Sequence, residues 1–146
     1  MIRINLLKSF VISLLAFILT SCFNFKKEEI IIKDAHLYMP LNGSMITSGY
    51  LSIINNSNKF IEIQAIDCAP FRAEIHETKM TSAGTMKMDK INSFILTPDT
   101  NTIFVPGGKH IMFWGLNDYK EEKLSCAFDI SDREPINFEF MVLKRG

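Results

Sequence analysis

Residues 74–116, EIHETKMTSAGTMKMDKINSFILTPDTNTIFVPGGKHIMFWGL, contain most of the pattern from which the fold can be predicted. Short runs rich in β-branched and aromatic residues alternate here with turns built from Gly, Pro, Asn and Asp. Similar runs precede and follow this stretch, and no window has a sustained helical period with capping residues. About eight short strands, spaced by about 8–12 residues, indicate an all-β fold, an antiparallel sandwich or barrel.

The composition is that of one folded domain. The chain has 146 residues, of which 47% are hydrophobic and 12 are Phe, and this suffices for a single core. The 16 basic and 16 acidic residues give a formal net charge of zero. Because there is no basic excess, we expect no nucleic-acid partner.

The N-terminus has the pattern of a secretion signal. Arg3 and Lys8 form a basic segment, and the apolar segment 10–19 is short for a membrane span. Residues 19–22, Leu-Thr-Ser-Cys, resemble the lipobox of bacterial lipoproteins, in which the Cys is lipidated and becomes the mature N-terminus. The alternative is an uncleaved anchor with an incidental Cys.

The lipobox divides the chain into three parts. We expect a signal peptide at residues 1–21, the lipidated Cys22 with a short tether at 22–29, and the β-domain at 30–146. The domain would then be held by lipid on the periplasmic side of a bacterial membrane, outside the reducing cytosol. Cys68 and Cys126 either form one disulfide there or remain buried thiols, and the sequence favours neither.

Residues 74–116 contain two histidines and four methionines. Met86 and Met88 are two residues apart, as are His110 and Met112, so each pair points to one face of a strand. Neighbouring strands would then direct imidazole and thioether groups to one point, where we hypothesise a metal ion. His76 and Met80 lie in the same stretch.

The types of these side chains favour Cu(I). Thioether sulfur is soft and neutral, and it selects Cu(I) over hard cations. Zinc sites usually combine His with thiolate or carboxylate, and only Glu74 and Glu77 are nearby. Calcium and magnesium require clusters of oxygen ligands, which are absent from the sequence pattern. Taken singly, each Met here is more typical of core filling, so the hypothesis depends on the whole set.

The spacing of these residues resembles that of the PCuAC-type periplasmic copper chaperones. Their pattern is His, one residue, ten residues, Met, twenty-one residues, His, one residue, Met. His76, Met88, His110 and Met112 match all four positions and the gaps between them. The local sequences EIHE, MKM and PGGKHIM are also similar to the family's signatures, as is GYLSIIN at residues 49–55.

The resemblance implies a cupredoxin-like Greek-key β-sandwich that binds one Cu(I) and has no enzymatic turnover. It implies delivery of copper outside the cytoplasm, chiefly to the copper A centre of cytochrome c oxidase. The partners would be oxidase subunit II or a thiol-bearing copper-assembly protein. The implied ligands are His76, Met88, His110 and Met112, with Met86 and Met80 as candidate auxiliary ligands.

Two departures from the family pattern bear on the site. Glu77 replaces an optional Met, and the sequence given ends at 144–146 without the His- and Met-rich tail of some members, so we expect one copper site.

Gly107 and Gly108 should form a turn with unusual dihedrals that places His110 near the surface. For Phe113 and Trp114 we expect core packing rather than shielding of the site.

Two other classes of protein compete with this interpretation. An electron-transfer cupredoxin would need a Cys thiolate beside two His, and Cys126 has no nearby His. A metal-free structural or interaction lipoprotein, in which the Met-rich strands are only core, is the main alternative. The sequence does not distinguish the inner from the outer membrane.

Overall fold

The computed structural model describes residues 29–144. The signal peptide, Cys22 and most of the tether expected at the N-terminus lie outside these residues. Within them the chain is all-β. The strands are β1 (Ile30–Tyr38), β2 (Ile46–Asn55), β3 (Ile61–Asp67), β4 (Arg72–Met80), β5 (Met86–Lys90), β6 (Phe94–Leu96), β7 (Thr100–Phe104), β8 (Lys109–Trp114), β9 (Lys123–Ile130) and β10 (Arg133–Leu143).

The predicted fold class is confirmed, with ten strands instead of about eight. The undercount has a physical reason, because the shortest strands lack the alternation on which a sequence count depends. Strand β6 has three residues, and all five residues of β5 are exposed. Residues 29–144 contain no helix with the length and hydropathy that a membrane crossing requires.

The strands form a sheet in the order β5-β4-β8-β2-β1-β10-β9-β3-β6, and β7 pairs with β2 beside β8. Every pairing is antiparallel except β1 with β10. Ring contacts join strands that are distant in this order: Phe113 of β8 meets Phe140 of β10 with ring centroids 5.3 Å apart. The sheet therefore curls over on itself into the two layers of a cupredoxin-like sandwich.

Gly49 permits the closest approach within this core. A Cβ atom built there would lie 2.7 Å from the Phe113 ring and 3.1 Å from the Phe140 ring. Glycine is therefore needed at the point where β2 passes beneath these two rings.

Of the two alternatives for Cys68 and Cys126, a disulfide or two free thiols, the structure contains the disulfide. Cys68, just after β3, and Cys126 of β9 are bonded, with their Cα atoms 4.3 Å apart. Both cysteines are buried. The bond links the end of β3 to its neighbour β9 and closes a loop of 58 residues.

Strands β4 and β8 have one face toward the core and an outer face on the opposite side. Ile75, Ile111 and Phe113 are at most 2% exposed and point into the core. Because side chains alternate along a strand, His76, His110 and Met112 occupy the opposite face. Trp114 also lies on that outer face, so its expected core role is wrong, whereas that of Phe113 is correct.

Candidate metal centre

The register between β4 and β8 places two histidines directly opposite each other. His76 pairs with His110, and their ring centroids are 6.0 Å apart with an interplanar angle of 33°. A metal between two imidazoles needs bonds of about 2 Å to one nitrogen of each ring. The ring separation fits a metal held between them, once the distance from each ring centre to its nitrogen is included.

Met112 and Met88 flank this pair on the same face of the sheet. Met112 lies opposite Glu74, one same-face position from His76 along β4. Met88 of β5 lies opposite Thr78, one same-face position on the other side of His76. Both methionines are therefore diagonal neighbours of His76, and long side chains reach across a diagonal. The register brings all four predicted ligand positions around one histidine.

The hydrogen bonds of His110 fix which of its nitrogens is available. Its Nδ1 lies 3.0 Å from the backbone oxygen of Gly108. A carbonyl oxygen only accepts, so Nδ1 carries the proton and donates it. In the neutral ring Nε2 then keeps its lone pair, which is the group that a metal binds.

His76 is fixed in the opposite sense by a carboxylate. Its Nε2 lies 3.1 Å from Oε2 of Glu74. The Arg72 guanidinium, together with His76 and Lys90, lowers the pKa of Glu74 to about 2, so the carboxylate accepts the bond from the ring N–H. The lone pair of neutral His76 is then on Nδ1. That atom is buried and has no hydrogen-bond partner.

The buried Nδ1 of His76 is a strong indication of a ligand site. A buried polar atom without a partner costs about 1–3 kcal/mol, and native proteins keep few of them. A carboxylate that holds the outer nitrogen of a metal-binding imidazole is a common arrangement. Nδ1 of His76 and Nε2 of His110 therefore suit a metal ion that accepts neutral nitrogen donors.

The carboxylate of Glu74 is the centre of a small charged network. Its Oε1 accepts from Arg72 at 2.7 Å and from Lys90 at 3.1 Å. The guanidinium of Arg72 also lies 4.5 Å from the ring centre of Trp114, and that ring is 6.3 Å from His76. This network covers the Met112 side of the histidine pair and restrains the His76 ring.

The His110 end of the site is more buried than the turn at Gly107 and Gly108 predicts. Gly107 has φ of +78°, as expected for that turn. His110, however, is only 4% exposed, because β4 and β2 flank it on both sides. Met88 on the edge strand β5 is 50% exposed, so the site opens to solvent on the Met88 side.

The auxiliary candidates lie farther out on the same face. Met80 and Met86 pair with each other at the end of the β4–β5 hairpin. Three cross-strand pairs lie between that pair and the pair of His76 with Lys90. Met80 and Met86 are thus not brought to the histidines.

The family model that matches this chain covers residues 30–142 and is that of the LpqE-like family, described as a lipoprotein family. The chain belongs to the LpqE-like family. The match spans nearly all of the described residues. No protein of curated function matches the chain.

Solved structures that resemble this LpqE-like protein are PCuAC domains. A copper-bound PCuAC domain from PmoF2 has a TM-score of 0.63 at 17% identity, covering 80% of this chain and 94% of that one. An apo PCuAC domain from PmoF1 gives 0.66 at 18%, covering 80% and 95%. Apo-DR1885 from Deinococcus radiodurans, a solution structure, gives 0.57 at 18%, covering 80% of each chain. The likeness predicted from the ligand spacing is confirmed for the fold.

Sequence reasoning assigned no supporting role to Arg72, Glu74 or Lys90. Glu74 and Arg72 precede His76 at intervals of two, so a strand reading places all three on one face. The two-residue spacing could therefore have indicated that the Glu74 carboxylate lies beside His76. Lys90 gives no such signal, because only the pairing of β5 with β4 brings it to Glu74.

Proposed function

We propose that this protein is an extracytoplasmic, membrane-tethered chaperone for Cu(I). It would bind one ion through His76, Met88, His110 and Met112 and release it to a copper protein during assembly. The observation that carries the proposal is the paired histidines, each with one nitrogen engaged by the protein and the other left with its lone pair. The copper-bound state of one structural relative adds support.

The donor set suits cargo better than a permanent cofactor. Two imidazoles and two thioethers contribute no charge, and soft neutral donors favour Cu(I). Among residues 29–144 no three His, Cys, Asp or Glu side chains come together as a metal site, so sulfur from Met would complete the coordination. Each neutral donor can leave singly, and the exposed Met88 is the one that an acceptor reaches first.

Titration with Cu(I) against a chromogenic Cu(I) chelator tests the binding step. We expect the full-length protein to bind one tight equivalent, and the double variant His76→Ala/His110→Ala to lose it. His36→Ala is the matched control, because the ring of this third histidine is bonded to the Asp34 carbonyl on a different strand. A tight equivalent that survives the double substitution would contradict the proposal.

X-ray absorption of the Cu(I)-loaded protein tests the ligand set. Two nitrogen and two sulfur neighbours are expected around the metal. Met88→Leu and Met112→Leu should each remove one sulfur and leave both nitrogens. A spectrum with nitrogen and oxygen neighbours only would exclude the thioethers and favour a different metal-binding role.

The acceptor and the anchor are the finer parts of the proposal. We expect transfer of Cu(I) from the loaded protein to the apo copper A domain of cytochrome c oxidase subunit II, or to a thiol-bearing assembly protein. Copper in each protein after chromatographic separation measures that transfer. Incorporation of labelled fatty acid, lost in Cys22→Ala, measures the lipid anchor on the periplasmic side of the membrane.

A further inference from the structure

The β4–β5 hairpin extends past the end of the neighbouring strand. Strand β8 begins at Lys109, which pairs with Glu77 of β4. One more backbone bond, from Thr78 N to Gly108 O at 3.1 Å, closes that edge. Beyond Thr78 the hairpin is two-stranded, and its last residues pair only with each other. We call residues 78–88 the arm.

Two methionines lie directly opposite each other at the end of the arm. Met80 pairs with Met86, and they are 67% and 63% exposed. Opposed residues of an antiparallel pair have Cβ atoms about 5 Å apart, so two thioethers there can share one ion. The turn between them is braced, since Thr81 and Thr85 are bonded through both backbone and hydroxyl groups.

The two faces of the arm differ in chemistry. One face carries Lys79 opposite Lys87, each in an ion pair at 2.7 Å, with Glu77 and Asp89 respectively. The other face carries Met80, Met86 and, two residues farther along β5, the half-exposed Met88. Three exposed thioethers on one side of a solvated edge hairpin bury little apolar surface, so core packing does not account for them.

We propose that Met80 and Met86 form a second, weaker Cu(I) site that receives the ion and passes it along the arm to the histidine pair. Thioether sulfur binds Cu(I) without competition from protons, which suits an exposed first contact. Met88 is the bridging ligand, because it lies on the same face as both the outer pair and His76.

The passage is a series of ligand exchanges. A bond from Cu(I) to Met88 sulfur forms as a bond to Met80 or Met86 sulfur breaks. A bond to His76 Nδ1 then forms as the bond to the remaining outer sulfur breaks, and bonds to His110 Nε2 and Met112 sulfur complete the four ligands of the inner site. The metal stays Cu(I) throughout, and no proton moves when both imidazoles start in the neutral form. This passage rests on the proposed function, whereas the existence of the outer site does not.

Methyl resonances of methionine test the outer site in the unaltered protein. The full-length protein, labelled with 13C at the methionine methyl groups, is titrated with Cu(I) without oxygen. The first equivalent should shift the Met88 and Met112 signals, and a second equivalent should shift those of Met80 and Met86. Met45, 66% exposed and outside the arm, is the internal control and should not move. Met80 and Met86 signals that stay with Met45 at two equivalents would overturn the proposal.

Variants separate this proposal from the function proposed above. Met80→Leu/Met86→Leu should lose the weak equivalent and keep the tight one with a Kd changed by less than about twofold. Met45→Leu, the matched control, should keep both. His76→Ala/His110→Ala should lose the tight equivalent and keep the weak one. If the weak equivalent persists without Met80 and Met86, the outer site is wrong. If only the tight equivalent is missing from the unaltered protein, the histidine site fails and the outer site stands.

Discussion

His76 and His110 lie directly opposite each other on β4 and β8, with ring centroids 6.0 Å apart and complementary tautomers. One donates from Nε2 to a side chain, and the other donates from Nδ1 to the backbone. Each ring is thus anchored on its outer side and keeps one lone pair. These hydrogen bonds fix the orientation of both rings, which reduces the ordering that metal binding would require.

Acid should weaken Cu(I) binding because protons compete for the same two lone pairs. Between about pH 7 and about pH 5 we expect the apparent affinity to fall by at least about tenfold. Competition titrations at both pH values measure it, with His36→Ala as the control that should keep the same slope. An affinity that does not change over this range would contradict ligation by imidazole.

Glu74→Gln should weaken Cu(I) binding although residue 74 is not itself a proposed ligand. The amide can donate to Nε2 of His76 as well as accept from it, so the tautomer with a free Nδ1 is no longer enforced. Loss of such a supporting group typically costs about 10–100-fold in metal affinity. Glu77→Gln is the matched control, because that neighbour is paired with Lys109 and Lys79 instead. Equal losses in both variants would indicate a general charge effect.

The same carboxylate should make stability depend on pH. Its pKa is lowered from 4.5 to about 2 in the folded protein, chiefly by the hydrogen bond from Arg72. A group with a depressed folded pKa contributes stability above its unfolded pKa, and this contribution is lost as the pH falls through the folded value. Urea unfolding of the wild type and Glu74→Gln should therefore show a gap at neutral pH that narrows from about pH 5 to about pH 2. A gap independent of pH would argue against this role.

The fold class could be predicted because it depends on local signals. Strand-forming runs and turn residues recur along the chain, and nothing in residues 29–144 competes with them as a helix. The four proposed ligand positions come from the spacing along the sequence, and their ligation of a metal stays a prediction. The position of His76 directly opposite His110 could not be predicted, since the pairing of β4 with β8 is long-range and its register follows from the whole sheet.

Other features needed three-dimensional contacts. Asn55 ends the GYLSIIN strand, and its buried side chain donates to the Lys59, Leu96 and Thr97 carbonyls. The sequence marks this position as polar at a strand end, but only the packing of β6 beside it reveals the partners. The cysteine pairing is similar, because β3 and β9 meet through sheet topology that no spacing rule encodes.

Removal of the disulfide should destabilise the domain without changing the metal site. In the chain-entropy description, a loop of 58 residues corresponds to about 4 kcal/mol of stabilisation. Cys68→Ala/Cys126→Ala should lower the free energy of unfolding in urea by an amount of that order. Below its unfolding midpoint the variant should still bind Cu(I), since neither cysteine lies on β4, β5 or β8, the strands that carry the proposed ligands. Loss of the tight equivalent in a folded variant would contradict this separation.

Gly49→Ala should destabilise the sandwich through crowding at the point where its layers meet. The new methyl group would lie 2.7 Å from the Phe113 ring, 3.1 Å from the Phe140 ring and 3.3 Å from Leu37 Cβ. Neither ring can withdraw freely, because each is fully buried and they pack edge to face. Overpacking of this kind costs about 1–3 kcal/mol, which thermal or urea unfolding resolves. Ser52→Ala, on the outer face of the same strand, is the control and should change stability by less than about 0.5 kcal/mol.

Because Phe113 lies between Met112 and Trp114 on β8, a shift of its ring in Gly49→Ala should also disturb the site and weaken the affinity for Cu(I). A Gly49→Ala protein as stable as Ser52→Ala would mean that the rings are free to move apart, contrary to their edge-to-face packing.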